Sequence, residues 1–225
     1  MHPTNPISPP NPHPTPVCRA ERRAGFTLIE LLIVIAILGI LAAVLLPNIL
    51  GTQAAANETA TTAVMLDLQT GCGAFANEHG YFPPDDLRHP EGPAKQGWKP
   101  DNGINTGIES LVTFLSLQRR GGKDLGSLSD RFANTDKDDH GVEHPLLKQR
   151  GRIELTDAWG LPLAYFQKLG MEKAQQVAPA EGDPMPVKAK RRADGTFHGA
   201  GKFQLLSAGK DGTFGTDDDL VWPEN

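Results

Sequence analysis

Apolar and polar residues follow two different patterns along the first third of this chain. From Phe26 to Leu46 the sequence is apolar almost without interruption, and Glu30 is its single charge. That run is about 21 residues, or about 31 Å as an α-helix, which matches a bilayer hydrocarbon core of about 30 Å. It has no polar face, so it does not read as an amphipathic surface helix. After Pro47 the pattern becomes periodic: Ala56, Ala60, Val64, Leu68, Cys72 and Phe75 recur at helical spacing, with Thr, Asn, Glu and Asp between them. The pattern predicts one long helix over roughly 26–77, kinked at Pro47 and ended by Gly80 and Pro83-Pro84.

Beyond residue 80 the periodicity weakens. Ile108, Leu111, Val112 and Leu115 predict a short helix at 107–118. Residues 121–150 carry many charges and few apolar side chains, which predicts an exposed insertion. Strands are expected at 152–155, 163–166 and 203–206, separated by turn signals at Asp157-Ala158-Trp159-Gly160, Asp194-Gly195 and Asp211-Gly212. Residues 178–196, with Lys188, Lys190, Arg191 and Arg192, read as a solvated hairpin loop. The 225 residues suit one domain plus an appendage, and 24 Gly with 19 Pro favour a loop-rich fold over a helical bundle.

Charge adds an orientation. The first 24 residues hold seven prolines, which forbid a regular helix, and end on Arg19, Glu21, Arg22 and Arg23. A basic segment before an apolar span places the N-terminus in the cytoplasm and the rest outside. The formal net charge is −5; without residues 1–25, which carry three Arg and one Glu, it is −7. Such a balance gives no general attraction to nucleic acid. An acid within a membrane helix costs a few kcal/mol, about 2.5–3.5 for Asp at the centre, so Glu30 requires a reason.

The string Gly25-Phe26-Thr27-Leu28-Ile29-Glu30, followed by the apolar run to Pro47, resembles the signature of type IV pilins and type II secretion pseudopilins. The resemblance implies a leader, residues 1–25, removed by a prepilin peptidase between Gly25 and Phe26, with methylation of the new amine on Phe26. It implies a polymerisation half-helix at 26–47 and an amphipathic half at 48–80. It also implies that Glu30 pairs with the Phe26 ammonium of a neighbouring subunit. Such a pair cancels two costly charges and sets axial register.

A second set of strings lies in the C-terminal half. Thr156-Asp157-Ala158-Trp159-Gly160-Leu161-Pro162-Leu163-Ala164-Tyr165 is similar to a Trp-Gly turn of the major (G-type) pseudopilin of type II secretion, with Ala158 and Leu163 as departures. Leu206-Ser207-Ala208-Gly209-Lys210-Asp211-Gly212 and Asp219-Leu220-Val221-Trp222 resemble that family's final loop. Residues 84–103 and 117–152 have no clear counterpart. The final loop implies calcium, held by Asp211 and Asp219 with Asp217 and Asp218. Four carboxylates within nine residues, with Gly212 and Gly215 to let the chain wrap, suit an oxygen-loving cation. The alternative is an acidic surface turn.

Other chemistry is weaker. His140 and His144 are four apart, but Gly141 and Pro145 argue against a shared helix face. Ser207 and His198 show no hydrolase order. Trp98, Trp159 and Trp222 suit core or turn anchors. Cys72 suits a small apolar helix residue; a bridge to Cys18 is open only if the leader stays. The expected architecture is an α+β pilin fold, with residues 81–225 a periplasmic head carrying an insertion at about 117–152. The expected role is structural and not enzymatic. Copies of the chain and minor pseudopilins form a helical periplasmic filament that drives protein export, with an inner-membrane assembly platform as partner. The alternatives are a type IV pilus subunit for adhesion or DNA uptake, and a membrane-anchored periplasmic enzyme or binding protein.

Overall fold

The computed structural model describes residues 26–87, 97–117 and 124–224, without the side chains of 44 and 46–50. Gly25, Cys18 and the rest of the leader lie outside the described residues. The chain divides into two units, Met1–Pro47 and Asn48–Asn225. Helix α1, Leu28–His79, contributes to both, and its 52 residues run through Pro47 without interruption.

In the first unit every described side chain from Phe26 to Ala43 is exposed, including Leu28 at 82% and Ile33 at 50%. Among the described residues, no helix is long and apolar enough to cross a membrane.

In the second unit α1 is amphipathic. Thr61, Val64, Met65, Leu68, Cys72 and Phe75 are buried and form one stripe. The predicted stripe included Ala56, which is exposed. The real one starts later because the head covers the helix only from Thr61 onward, and Thr61 itself is buried by accepting a hydrogen bond from Ala158 N at 3.0 Å.

Helix α2, Thr106–Ser116, packs Ile108, Leu111, Val112 and Leu115 into the same core. Gly107 lets it approach the sheet: a Cβ there would lie 2.3 Å from the Tyr165 carbonyl oxygen. Strands β3 (Ala164–Gln167), β6 (Phe203–Ser207) and β7 (Leu220–Trp222) form an antiparallel sheet in the order β3-β6-β7. Its register pairs Tyr165 with Leu205 and Leu206 with Val221. Two smaller antiparallel pairs complete the head: β1 (Phe132–Ala133) with β2 (Glu154–Leu155), and β4 (Gln175–Val177) with β5 (Met185–Val187). A main core fills the space between α1, α2 and one sheet face, and a smaller cluster of Phe166, Met171, Val177, Val187 and Leu206 lies apart from it.

This is an α+β fold, as the sequence predicts, with one correction. The described part of the insertion, 124–150, is not simply exposed. Leu125 and Leu128, on a 3-10 helix at Leu125–Arg131, enter the main core, and His140 and His144 are 1% and 0% exposed. Leu125 and Leu128 fold inward, whereas Val142 and Leu146 stay exposed.

Candidate functional site: the helix start and the C-terminal loop

The start of α1 is closed by a reciprocal cap. Thr27 Oγ1 accepts from Glu30 N (3.3 Å), and Glu30 Oε2 accepts from both Thr27 N (2.9 Å) and Thr27 Oγ1 (2.8 Å). The Thr27 carbonyl receives the first helical bond from Leu31 N. This is a capping box, Thr-x-x-Glu, and it satisfies donors that a helix start otherwise leaves open. The sequence reading singled out Glu30 and missed Thr27; the spacing of three was the available signal. Phe26, 80% exposed, precedes the cap.

The Trp-Gly turn is a structural joint. Asp157 Oδ1 accepts from Trp159 N (2.9 Å) and Leu161 N (3.0 Å), while Oδ2 accepts from Ser207 Oγ (2.6 Å). Burial pushes the Asp157 carboxyl up, opposed by the Ser207 hydroxyl and the turn amides. Asp157 therefore links the turn to the end of β6, just before the C-terminal loop.

In that loop the four acids do different things. Asp211 Oδ1 accepts from Thr213 N (2.7 Å). Asp218 accepts from Thr216 Oγ1 (2.7 Å) and Asp211 N (2.9 Å), and these bonds, the hydroxyl first, hold its carboxyl below the usual range. Asp217 is exposed. Asp219 Oδ2 accepts from Gly215 N (2.9 Å) and faces the Lys190 ammonium at 3.2 Å, while its Oδ1 is buried without a hydrogen-bond partner. Lys190 Nζ also donates to Thr216 O (2.9 Å). Gly209, at φ 64, permits the loop to close: a Cβ there would lie 2.2 Å from Asp218 O.

For calcium the fit is partial. The orphaned Asp219 oxygen suits a cation, but the four carboxylates are not among the acidic groups whose oxygens converge, and Lys190 already brings a positive charge to Asp219 and to a loop carbonyl. The sequence reading placed Lys190 in a solvated hairpin and gave no sign of this contact, because the two residues are 29 positions apart.

The histidines are structural. His144 Nδ1 accepts from Leu146 N (3.2 Å) and Leu147 N (3.0 Å), so Nε2 carries the proton toward Ser116 Oγ at 3.1 Å. Trp98 stacks on His140 with ring centroids 3.9 Å apart. Burial pushes both imidazoles down to about 4. Cys72 is a buried free thiol whose ionisation is pushed up by burial. Trp222 Nε1 donates to Gln69 Oε1 of α1, an anchoring contact.

Residues 21–46 match the prokaryotic N-terminal methylation motif. The chain is 24% identical over 201 residues to type II secretion system core protein G of Escherichia coli, covering 89% of this chain and 91% of that protein. It is 65% identical over 43 residues to the type IV wide pilus major component PilA4 of Thermus thermophilus, covering 19% of this chain and 33% of that protein. A 32% identity over 104 residues links it to the type IV major pilin protein PilA of Myxococcus xanthus, 46% of this chain and 44% of that one. No solved structure matches the chain.

Proposed function

We propose that this pilin-like chain, similar over 89% of its length to core protein G, is the major pseudopilin of a type II secretion system. Mature subunits assemble through the first half of α1 into a periplasmic filament whose growth drives protein export. The observation that carries the reading is that half-helix: sixteen or so residues of apolar surface with no cover in the monomer, led by a carboxylate. So much exposed apolar area demands a lipid or protein partner. The full apolar run of the sequence is long enough to span a bilayer before assembly.

Removal of residues 1–25 by a prepilin peptidase would leave an ammonium on Phe26, one helical turn from Glu30. In a helical stack that ammonium meets the Glu30 carboxylate of the next subunit. The pair neutralises both charges in an apolar setting and fixes the rise between subunits. The methylation motif supports the processing step, and likeness to core protein G through the head supports secretion over adhesion. A type IV pilus subunit is the second reading, favoured by the high identity to the Thermus pilus component, but that identity covers only 43 residues, 19% of this chain.

The C-terminal loop would take calcium with Asp219 as anchor and Asp211, Asp217 and Asp218 around it, in competition with Lys190. Replacing Lys190→Met should then strengthen calcium binding by the loop; unchanged binding would remove the ion from this part of the reading.

Deleting the gene and replacing it with a Glu30→Ala allele tests the main claim. Export of the secretion substrates should stop in both strains while surface pili persist. Loss of pili with intact export would transfer the chain to the second reading. Mass spectrometry of the purified protein should find methylated Phe26 as its first residue.

A further inference from the structure

A different acidic group lies inside the head. Glu109, in the first turn of α2, is 1% exposed, and neither of its carboxylate oxygens has a hydrogen-bond partner. It stands where two sets of acids meet. With Asp101 and Asp138, and again with Asp136 and Glu154, it brings one oxygen per residue within 4.8 Å of the others. Asp101 Oδ1 is also buried without a hydrogen-bond partner.

The buried cation beside this group is Arg152, and its ion pairs are with Asp138 and Asp101, not with Glu109. Its Nε lies 2.6 Å from Asp138 Oδ2 and 3.9 Å from Asp101 Oδ1, Nη2 donates to the Lys99 carbonyl at 2.6 Å, and Nη1 faces His140 Nδ1 at 3.4 Å. One guanidinium does not balance five carboxylates. Burial first, then the neighbouring acids, Asp138 foremost, push the Glu109 carboxyl well up. Asp138 and Glu154 are each pushed up to about 7, by burial before anything else.

The outer acids are nevertheless oriented. Asn102 Nδ2 donates to Asp136 Oδ2 (2.9 Å), Asn105 Nδ2 to Glu154 Oε1 (2.9 Å), and Thr106 Oγ1 to Asp101 Oδ2 (2.6 Å). Asp136, Glu154 and Asp101 are thus braced by hydrogen bonds from outside the cluster. The Asp138 carboxylate has no hydrogen bond but is ion-paired to Arg152, and Glu109 has no hydrogen-bond partner on either oxygen.

We propose that Glu109 is the centre of a calcium site completed by Asp101, Asp136, Asp138 and Glu154. The donors are all hard oxygens, the chemistry that calcium prefers at six to eight ligands. Neither nearby imidazole is turned to it: His144 spends both nitrogens on Ser116 and backbone amides, and His140 Nδ1 faces Arg152. That excludes the nitrogen-rich set a transition metal favours. The site joins the loop before α2, α2 itself, the insertion after the 3-10 helix, and β2. A divalent ion there converts mutual repulsion into a four-way clamp. The segments with no counterpart in the family signature thus supply three of the five acids.

The test uses the full chain in detergent micelles, carrying Asp219→Asn so that the C-terminal loop does not contribute. After chelation, calcium at a hundredfold its dissociation constant should raise the melting temperature by about 5–10 °C. Calorimetry should count one ion. Glu109→Gln should match or exceed the parent's stability in chelator and lose the calcium response. Should that variant not fold, Asp136→Asn, on the partly exposed rim, should bind calcium at least tenfold more weakly. No calcium response in the parent, an undiminished response in the variants, or an equal response to magnesium overturns the assignment.

Discussion

Helix α1 contains two halves that share a backbone conformation and nothing else. From Leu28 to Ala43 it exposes Leu and Ile all round; from Thr61 to Phe75 it buries a single stripe beneath two polar flanks. The second half owes its place to the head: Leu68 and Cys72 are fully buried among α2 and the sheet. The first half has no such cover within its own unit. The contrast shows that one helix can serve two folding problems. Half of it is solved when the chain folds; in the proposed filament, the other half is solved by a membrane or another subunit.

The sharpest way to break this contrast is to cut into the covered half. Leu68→Ala should destabilise the head by about 2–5 kcal/mol, the usual loss for a fully buried leucine, and thermal unfolding would read it as a lower melting temperature. If the loss were negligible, the stripe would not be the base of the fold. Asp157→Ala comes next. It strips partners from the Trp159 and Leu161 amides and from Ser207, so about 2 kcal/mol is expected by chemical denaturation. Thr61→Val keeps the shape but leaves the Ala158 amide without its acceptor, for a loss of about 1 kcal/mol. At the far end of the scale, Ile33→Ala should leave the stability of the head within about 0.5 kcal/mol. Its effect should show in subunit cross-linking, which reads assembly. A large drop in folding stability there would erase the difference between the halves.

Much of this was legible in the residues. The long helix is predicted at 26–77 and observed at Leu28–His79, and the short one is predicted at 107–118 and observed at Thr106–Ser116. Hydrophobic period carries that information locally, and turn residues bound it. β3 and β6 were legible because their apolar runs are compact; β1, β2, β4, β5 and β7 are two or three residues long, and of these only β2 was expected, at 152–155. Their existence depends on partners distant in sequence. The same holds for the acids. Asp211 to Asp219 stood out because they are neighbours along the chain. The group at Glu109 did not, since Asp101 and Glu154 are brought together only by the folded head. Its one local trace was Asn134-x-Asp136-x-Asp138, oxygen-bearing side chains at alternate positions, an arrangement common in ion-binding loops.

The cap at the start of α1 has a geometric detail with wider reach. Both bonds from Thr27 land on the same carboxylate oxygen, Oε2 of Glu30, so the cap does not use Oε1. In the proposed filament a single side chain would therefore steady its own first turn and meet the neighbouring Phe26 ammonium at once, with no exchange of one contact for the other. Glu30→Gln separates these tasks. The amide oxygen can still hold Thr27, but the remaining arm presents hydrogens to a cation, so the helix would begin normally and the proposed pairing would fail.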